Sequence, residues 1–221
     1  MGQLGYTQLF TNPVAASGTG ASLVAHVIAL APGANSVTST AINATSATLI
    51  VAFAGSEASS GSMSDTLGNT YTLARTDSIS TFDYLACYYK LGPIVSGSMK
   101  FTASFTGGYP GLVVMAFSGT FTALDKQSGA GNSGVTSIQP GSVTPSISGG
   151  LIVSALAMDY YSLAPTPTVT PLTLVDYGGP SGTSVGVASA WELQAASAAI
   201  NPTWSGFTSA GKVVTSMLTF K

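Results

Sequence analysis

Met99-Lys100-Phe101-Thr102-Ala103-Ser104-Phe105 places an apolar side chain at every odd position and a polar one at every even position. A period of two belongs to a strand, whose successive side chains leave opposite faces of a sheet, and it predicts one buried and one solvated face. Other runs lose the alternation. Leu49-Ile50-Val51-Ala52-Phe53 and Leu112-Val113-Val114-Met115 are apolar throughout and read as central strands covered on both faces. Further β runs bounded by Gly, Pro, Ser and Asn fall at residues 48–54, 70–75, 84–91, 112–118, 151–158, 168–177, 184–193 and 212–220. Residues 188–199 hold enough helix formers to compete as a helix, but an internal repeat assigns them to a strand through Leu193. The expected fold class is all-β: an antiparallel, jelly-roll-like β-sandwich.

The repeat is read from four matches. Thr48-Leu49-Ile50-Val51-Ala52 parallels Gly150-Leu151-Ile152-Val153-Ser154, and Thr72-Leu73-Ala74 parallels Thr173-Leu174-Val175. Ala86-Cys87-Tyr88-Tyr89-Lys90-Leu91 parallels Ala188-Ser189-Ala190-Trp191-Glu192-Leu193, and Val113-Val114 parallels Val213-Val214. An offset of about 100 residues is kept throughout, the mark of a duplication. Two related units of about five strands, residues 37–119 and 141–221, are expected within one sandwich domain spanning 21–221. They face each other as the sheets of one sandwich or interleave as a jelly roll. Residues 126–141 read as the loop that joins them, and residues 1–20 as an extended arm.

Charge is scarce. Asp, Glu, Lys and Arg make up 6% of the 221 residues, against roughly 25% in an ordinary domain. The polar surface must come instead from 31 Ser, 27 Thr and 26 Gly, a composition that suits strands better than surface helices. Net charge is −2 and the six basic residues are scattered from Arg75 to Lys221. Neither nucleic acid nor an anionic membrane surface finds a basic patch. No window reaches the roughly 18 apolar residues that span a bilayer as a helix. Cys87 is the only cysteine, so neither an intrachain disulfide nor a cysteine zinc site is available. MGQLGYTQLFTNPVAASG at the start lacks the pattern of a secretory signal. The expectation is a protein made in a host cytoplasm and displayed on a virion, with a cell-surface or extracellular location as the alternative.

Candidate sites are few. Ser64-Asp65-Thr66-Leu67-Gly68-Asn69-Thr70-Tyr71 reads as a β-turn, with a Ca²⁺ loop on Asp65 and Asn69 as its rival. Gly182-Thr183-Ser184-Val185-Gly186 matches G-x-S-x-G, but a strand-like run follows it and the sole histidine, His26, lies upstream. His26 itself reads as a hydrogen-bonded strand residue. Asp77 with Asp83, and Asp159 with Asp176, are the carboxylate pairs a glycosidase would need. Tyr88, Tyr160, Tyr161, Trp191 and Trp204 are the binding candidates, as outward rings for sugar stacking or subunit contact. No catalytic residue, metal site or cofactor is expected.

The order of elements resembles a loose group of phage-encoded and bacterial β-sandwich surface modules. The likeness covers roughly residues 37–220. It is carried by the apolar strand 49–54, the Asp65 turn, the Tyr-rich strand 84–89, the alternating strand 99–105, and Val113–Gly119 ending in Phe-Ser-Gly. What the resemblance implies is a non-enzymatic virion structural protein, a capsid-decoration (cement) or tail-associated module. Its partners would be copies of itself, as a homo-oligomer with the trimer preferred, and other virion proteins. A carbohydrate-binding or adhesin module, with a glycan as partner, is the alternative.

Overall fold

The computed structural model describes residues 18–57, 61–79, 84–159, 166–179, 185–207 and 211–221. Its first half forms β1 (Ser22–Leu30), β2 (Ser36–Thr38), β3 (Leu49–Ser56), β4 (Gly61–Asp65), β5 (Thr72–Ser78), β6 (Tyr84–Leu91), β7 (Phe101–Phe105) and β8 (Gly111–Ser118). Its second half forms β9 (Leu124–Ser133), β10 (Ser137–Ile138), β11 (Gly150–Met158), β12 (Thr168–Thr170), β13 (Thr173–Gly178), β14 (Gly186–Gln194), β15 (Thr203–Ser205) and β16 (Lys212–Phe220). Among the described residues there is no helix. The protein is all-β, and its sheets are antiparallel.

The first half pairs as β1-β8-β3-β6-β5 and β2-β7-β4, the second as β9-β16-β11-β14-β13 and β10-β15-β12. Adding eight to each strand number of the first half gives the second. The duplication therefore extends to the whole strand order, with eight strands per unit, and takes in β1 and β9, which lie before the bounds expected from sequence. Each unit is a jelly-roll-like pair of layers, five strands against three.

The two five-stranded sheets face each other, one from each unit, so four layers stack in the order three, five, five, three. β3 lies over β11, β8 over β14, β6 over β16, β1 over β13 and β5 over β9. The last two contacts are the same contact with the units exchanged, and so are β8 with β14 and β6 with β16. The halves thus meet through a self-complementary interface about a pseudo-two-fold axis near β3 and β11, as the subunits of an isologous dimer do.

Burial explains the apolar runs. β3 and β11 are buried along their whole length because each has a layer on both faces. Leu49, Val51, Phe53 and Phe117 point into the central core, where Leu151, Val153, Val187 and Phe220 meet them. Ile50, Ala52 and Val114, the alternate residues, point the other way, to Val37 and Phe101 of the first small sheet and to Met99 just before β7. Ile152, Leu156 and Met217 do the same against Ile138 and Trp204. β7 keeps the alternation of its sequence, Phe101, Ala103 and Phe105 being buried and Thr102 and Ser104 half-buried.

One reading is corrected. Residues 126–141 are not simply a connecting loop: β9 occupies 124–133 and pairs along its length with β16. A chain rich in glycine is a poor strand by propensity, but here β5 of the other unit packs against it. A Cβ on Gly129 would collide with the Asp77 carboxylate, and one on Gly131 would lie 2.8 Å from the Ser78 carbonyl oxygen. The helical composition of residues 188–199 is overridden in the same manner, since β14 runs to Gln194 between β11 and β13.

Candidate functional site

The aromatic candidates lie mostly inside. Tyr88 is 5% exposed, and its hydroxyl donates to the Gly61 carbonyl at 2.8 Å. Trp204 is fully buried, and its Nε1 donates to Ser154 Oγ at 3.0 Å. Neither presents a ring face to a ligand, which corrects the stacking role expected of them. Both rings fill space between a large and a small sheet, and the polar tip of each is satisfied internally. Trp191 is half-buried and meets Phe117 edge to face, centroids 5.4 Å apart, at the margin of the central core. Tyr160 and Tyr161 lie outside the described residues, as do Asp83 and residues 182–184 of the G-x-S-x-G match. That match continues into a strand, Gly186 opening β14, where a nucleophile elbow requires a helix.

Several acids are engaged where the units meet. On one edge of the interface His26 of β1 shares its Nδ1 between the two carboxylate oxygens of Asp176 on β13, at 2.9 and 3.0 Å. On the other edge Arg75 forks onto Asp77 within β5, Nε at 2.6 Å and Nη2 at 2.5 Å. The Ser216 hydroxyl of β16 donates to the same carboxylate at 2.5 Å. Cys87 adjoins this cluster and is wholly buried; burial pushes its thiol up to about 12. A neutral, enclosed thiol is a packing group, not a nucleophile. Asp77 and Asp176 are both structural groups in these networks, so neither stands as a free catalytic acid.

The Asp65 loop is a turn closed by its own carboxylate. Oδ1 accepts from the backbone N–H of Leu67 at 2.8 Å and of Asn69 at 3.2 Å. Oδ2 accepts from Asn69 Nδ2 at 2.8 Å and the Tyr71 hydroxyl at 2.7 Å. Asn69 then bonds Ile94 in both directions, each at 2.8 Å. Burial by itself raises the Asp65 pKa. The Tyr71 hydroxyl, the Asn69 amide and the two N–H groups outweigh it and hold the carboxyl below its ordinary range. Four donors occupy the lone pairs a Ca²⁺ ion would use. Among the described residues no group of three or more His, Cys, Asp or Glu is placed to hold a metal.

The outer faces of the small sheets carry an arrangement that sequence reading did not pick out. In the first unit Ser36, Ser104 and Ser62 stand in register across β2, β7 and β4, and Thr38, Thr102 and Ser64 form the next outward row. Between the rows lies Val37, Ala103 and Met63, which turns inward. In the second unit Ser137, Ser205 and Thr168 form one outward row across β10, β15 and β12, with Ile138, Trp204 and Val169 inward. Thr203 and Thr170 pair in the next row, which Gln139 completes through Nε2 to Thr203 Oγ1 at 2.8 Å. Each face is thus a grid of six uncharged polar side chains, all hydroxyls save Gln139. Each grid borders an open depression: one of about 280 Å³ beside Gly61, Ser62, Ser104, Phe105 and Thr106, and one of about 530 Å³ lined by Asn132, Ser137, Gln139 and Thr203 among others. The signal in the sequence was the tripeptide hydroxyl–apolar–hydroxyl, as in Thr102-Ala103-Ser104 and Thr203-Trp204-Ser205, recurring at the repeat offset.

Neither family models, nor curated proteins, nor solved structures match the chain.

Proposed function

We propose that this chain is a non-enzymatic virion structural protein of the bacteriophage kind, a capsid-decoration or tail-associated subunit that works through contacts with its neighbours. The observation that carries the reading is that several acids are engaged by the chain's own donors while the outer sheet faces are coated in hydroxyls. Asp65, Asp77, Asp125 and Asp176 are engaged by donors of the chain itself, while the outer sheets offer Ser and Thr. A surface of this kind gives little electrostatic repulsion and suits close packing against other subunits. All four edge strands of the large sheets, β1, β5, β9 and β13, also carry a bulge or register shift. Bulged edges resist strand-to-strand aggregation, which directs association to the ends of the stack. Such a protein assembles as a homo-oligomer, a trimer in the preferred form, on a particle that supplies its other contacts.

The test is imaging and sedimentation. Antibody raised against the purified chain is expected to decorate intact particles in negative stain, and the chain to co-sediment with them. Purified chain is expected to sediment at the mass of a trimer. A chain that stays monomeric, and remains in the supernatant when particles are pelleted, overturns the reading.

A further inference from the structure

We propose that the two outer hydroxyl grids are binding faces for a neutral polysaccharide, one on each side of the four-layer stack. The proposal does not depend on the virion reading, because it concerns the isolated chain and a soluble polymer.

The chemistry of the grids selects the class of ligand. None of the twelve positions carries a charge, so neither a polyanion nor a polycation gains from the contact. A hydroxyl both donates and accepts, and a partner that matches a field of hydroxyls must do the same at many points. The hydroxyl edges of a sugar chain have that property. None of the four outward rows contains an aromatic residue, so recognition runs through sugar edges rather than stacked rings. Grid spacing is set by the sheet: about 4.8 Å between strands and about 6.8 Å between like-facing residues along one. The field is open and repetitive, which suits an extended polymer better than a small molecule that needs enclosure.

One hydroxyl exchanged for water contributes little, so such a face works only if its groups are numerous and already in place. Both conditions are met. Thr38 Oγ1 and Thr102 Oγ1 lie 2.9 Å apart, Thr168 Oγ1 and Ser205 Oγ 2.9 Å, and Gln139 Nε2 donates to Thr203 Oγ1 at 2.8 Å. These cross-strand bonds hold six of the twelve side chains before any ligand arrives. The inward row differs between the units, Val37, Ala103 and Met63 in one and Ile138, Trp204 and Val169 in the other. The outward pattern is kept although the packing beneath it has changed. Two like faces on opposite sides of one rigid body make the chain bivalent, able to cross-link two polymer strands.

The experiment is native affinity electrophoresis in gels containing dextran, hydroxyethylcellulose or galactomannan, with hyaluronate as the anionic control. Retardation by at least one neutral polymer and none by hyaluronate is expected. Thr102→Val with Ser104→Ala, or Thr203→Val with Ser205→Ala, should leave binding by the remaining face but abolish cross-linking, read as turbidity of protein–polymer mixtures. The four substitutions together should raise the half-saturating polymer concentration at least tenfold. Should that variant fail to fold, Thr102→Lys with Thr203→Lys blocks both faces with outward side chains and should have the same effect. No retardation by any of the three neutral polymers, or equal retardation of wild type and variants, overturns the proposal. So does sedimentation in which the wild type self-associates and the four-fold variant does not, because the grids would then be contacts between copies of this chain.

Discussion

Ser189 occupies in β14 the position that Cys87 occupies in β6, one residue after Ala188 and Ala86 respectively. Both side chains share the face that points to the central core, as Val187 does two residues before Ser189. Cys87 meets Ser216 there. Ser189 is fully buried, and among the described residues its hydroxyl finds no partner. An unsatisfied buried hydroxyl costs about 1–3 kcal/mol. Ser189→Ala is therefore predicted to stabilise the fold by about 1 kcal/mol, seen as a higher urea midpoint at unchanged slope; a drop of that size would refute the orphan assignment. Asp65 supplies a second case. Its folded pKa is depressed, so the folded state binds its proton less readily than the unfolded one. The stabilisation is complete above the unfolded carboxyl value of about 4 and is lost as pH falls through the folded value. Asp125 adds to the same trend: burial raises its pKa, but the Ser146 N–H and hydroxyl, with Lys221 and Lys126, bring it below the ordinary value. Urea midpoints should fall steadily between about pH 5 and pH 2. Asp65→Asn should lower the midpoint at pH 7 and flatten that slope, and an unchanged slope would remove Asp65 from the account.

At the scale of the element, β9 is the informative strand. Its glycines act by absence, because the backbone of β5 comes so near at Ser78 that Gly131 has no room for a methyl group. Gly131→Ala must displace main chain and is predicted to cost about 1–3 kcal/mol, as overpacking does. Gly97→Ala is the control: the nearest atoms lie 3.9 Å from its Cβ, and a surface change of this kind stays within about 0.5 kcal/mol. Equal chemical-denaturation midpoints for the two variants would show that β5 and β9 are not pressed together. This packing also explains what could be read from sequence. β3, β7, β8, β11 and β16 announce themselves because hydrophobic periodicity records burial by the chain's own layers. β9 does not, since its reason for glycine lies in a strand some fifty residues away, Ser78 against Gly131. β2, β10 and β15, of three residues or fewer, are too short for periodicity to register. Tyr88 is misread as an outward ring for a related reason: alternation says that one of Tyr88 and Tyr89 faces each side of β6, but not that both sides are covered. The hydroxyl grids need cross-strand register before they become visible, and composition alone gave only their raw material.

For the whole molecule, the question is whether the two units are independent. Leu49, Val51, Phe53 and Phe117 have no covering layer on their side except Leu151, Val153, Val187 and Phe220 of the other unit. A fully buried side chain of this size contributes about 1.5–3 kcal/mol, so eight of them together exceed or match the entire net stability of a typical domain, about 5–15 kcal/mol. Losing that interface would leave either unit with an exposed five-stranded apolar face and no surplus to hold it. The chain is therefore predicted to unfold in one cooperative transition despite its internal duplication. The molecule carries its own probes. Both tryptophans, Trp191 and Trp204, lie in the second unit, and the single thiol, Cys87, lies in the first. Cys87 is enclosed and held neutral by burial, so a thiol reagent at pH 7 should leave it untouched until the first unit opens. Tryptophan emission and Cys87 labelling, followed against urea under conditions where opening and closing outrun labelling, should give the same midpoint. Phe53→Ala, which alters only the first unit's side of the shared core, should lower both midpoints together, by an amount corresponding to about 3–5 kcal/mol. If the tryptophan signal kept its midpoint while the thiol became reactive earlier, the second unit would be stable by itself, and the central core would be a docking surface between two finished domains instead of the structure on which both depend.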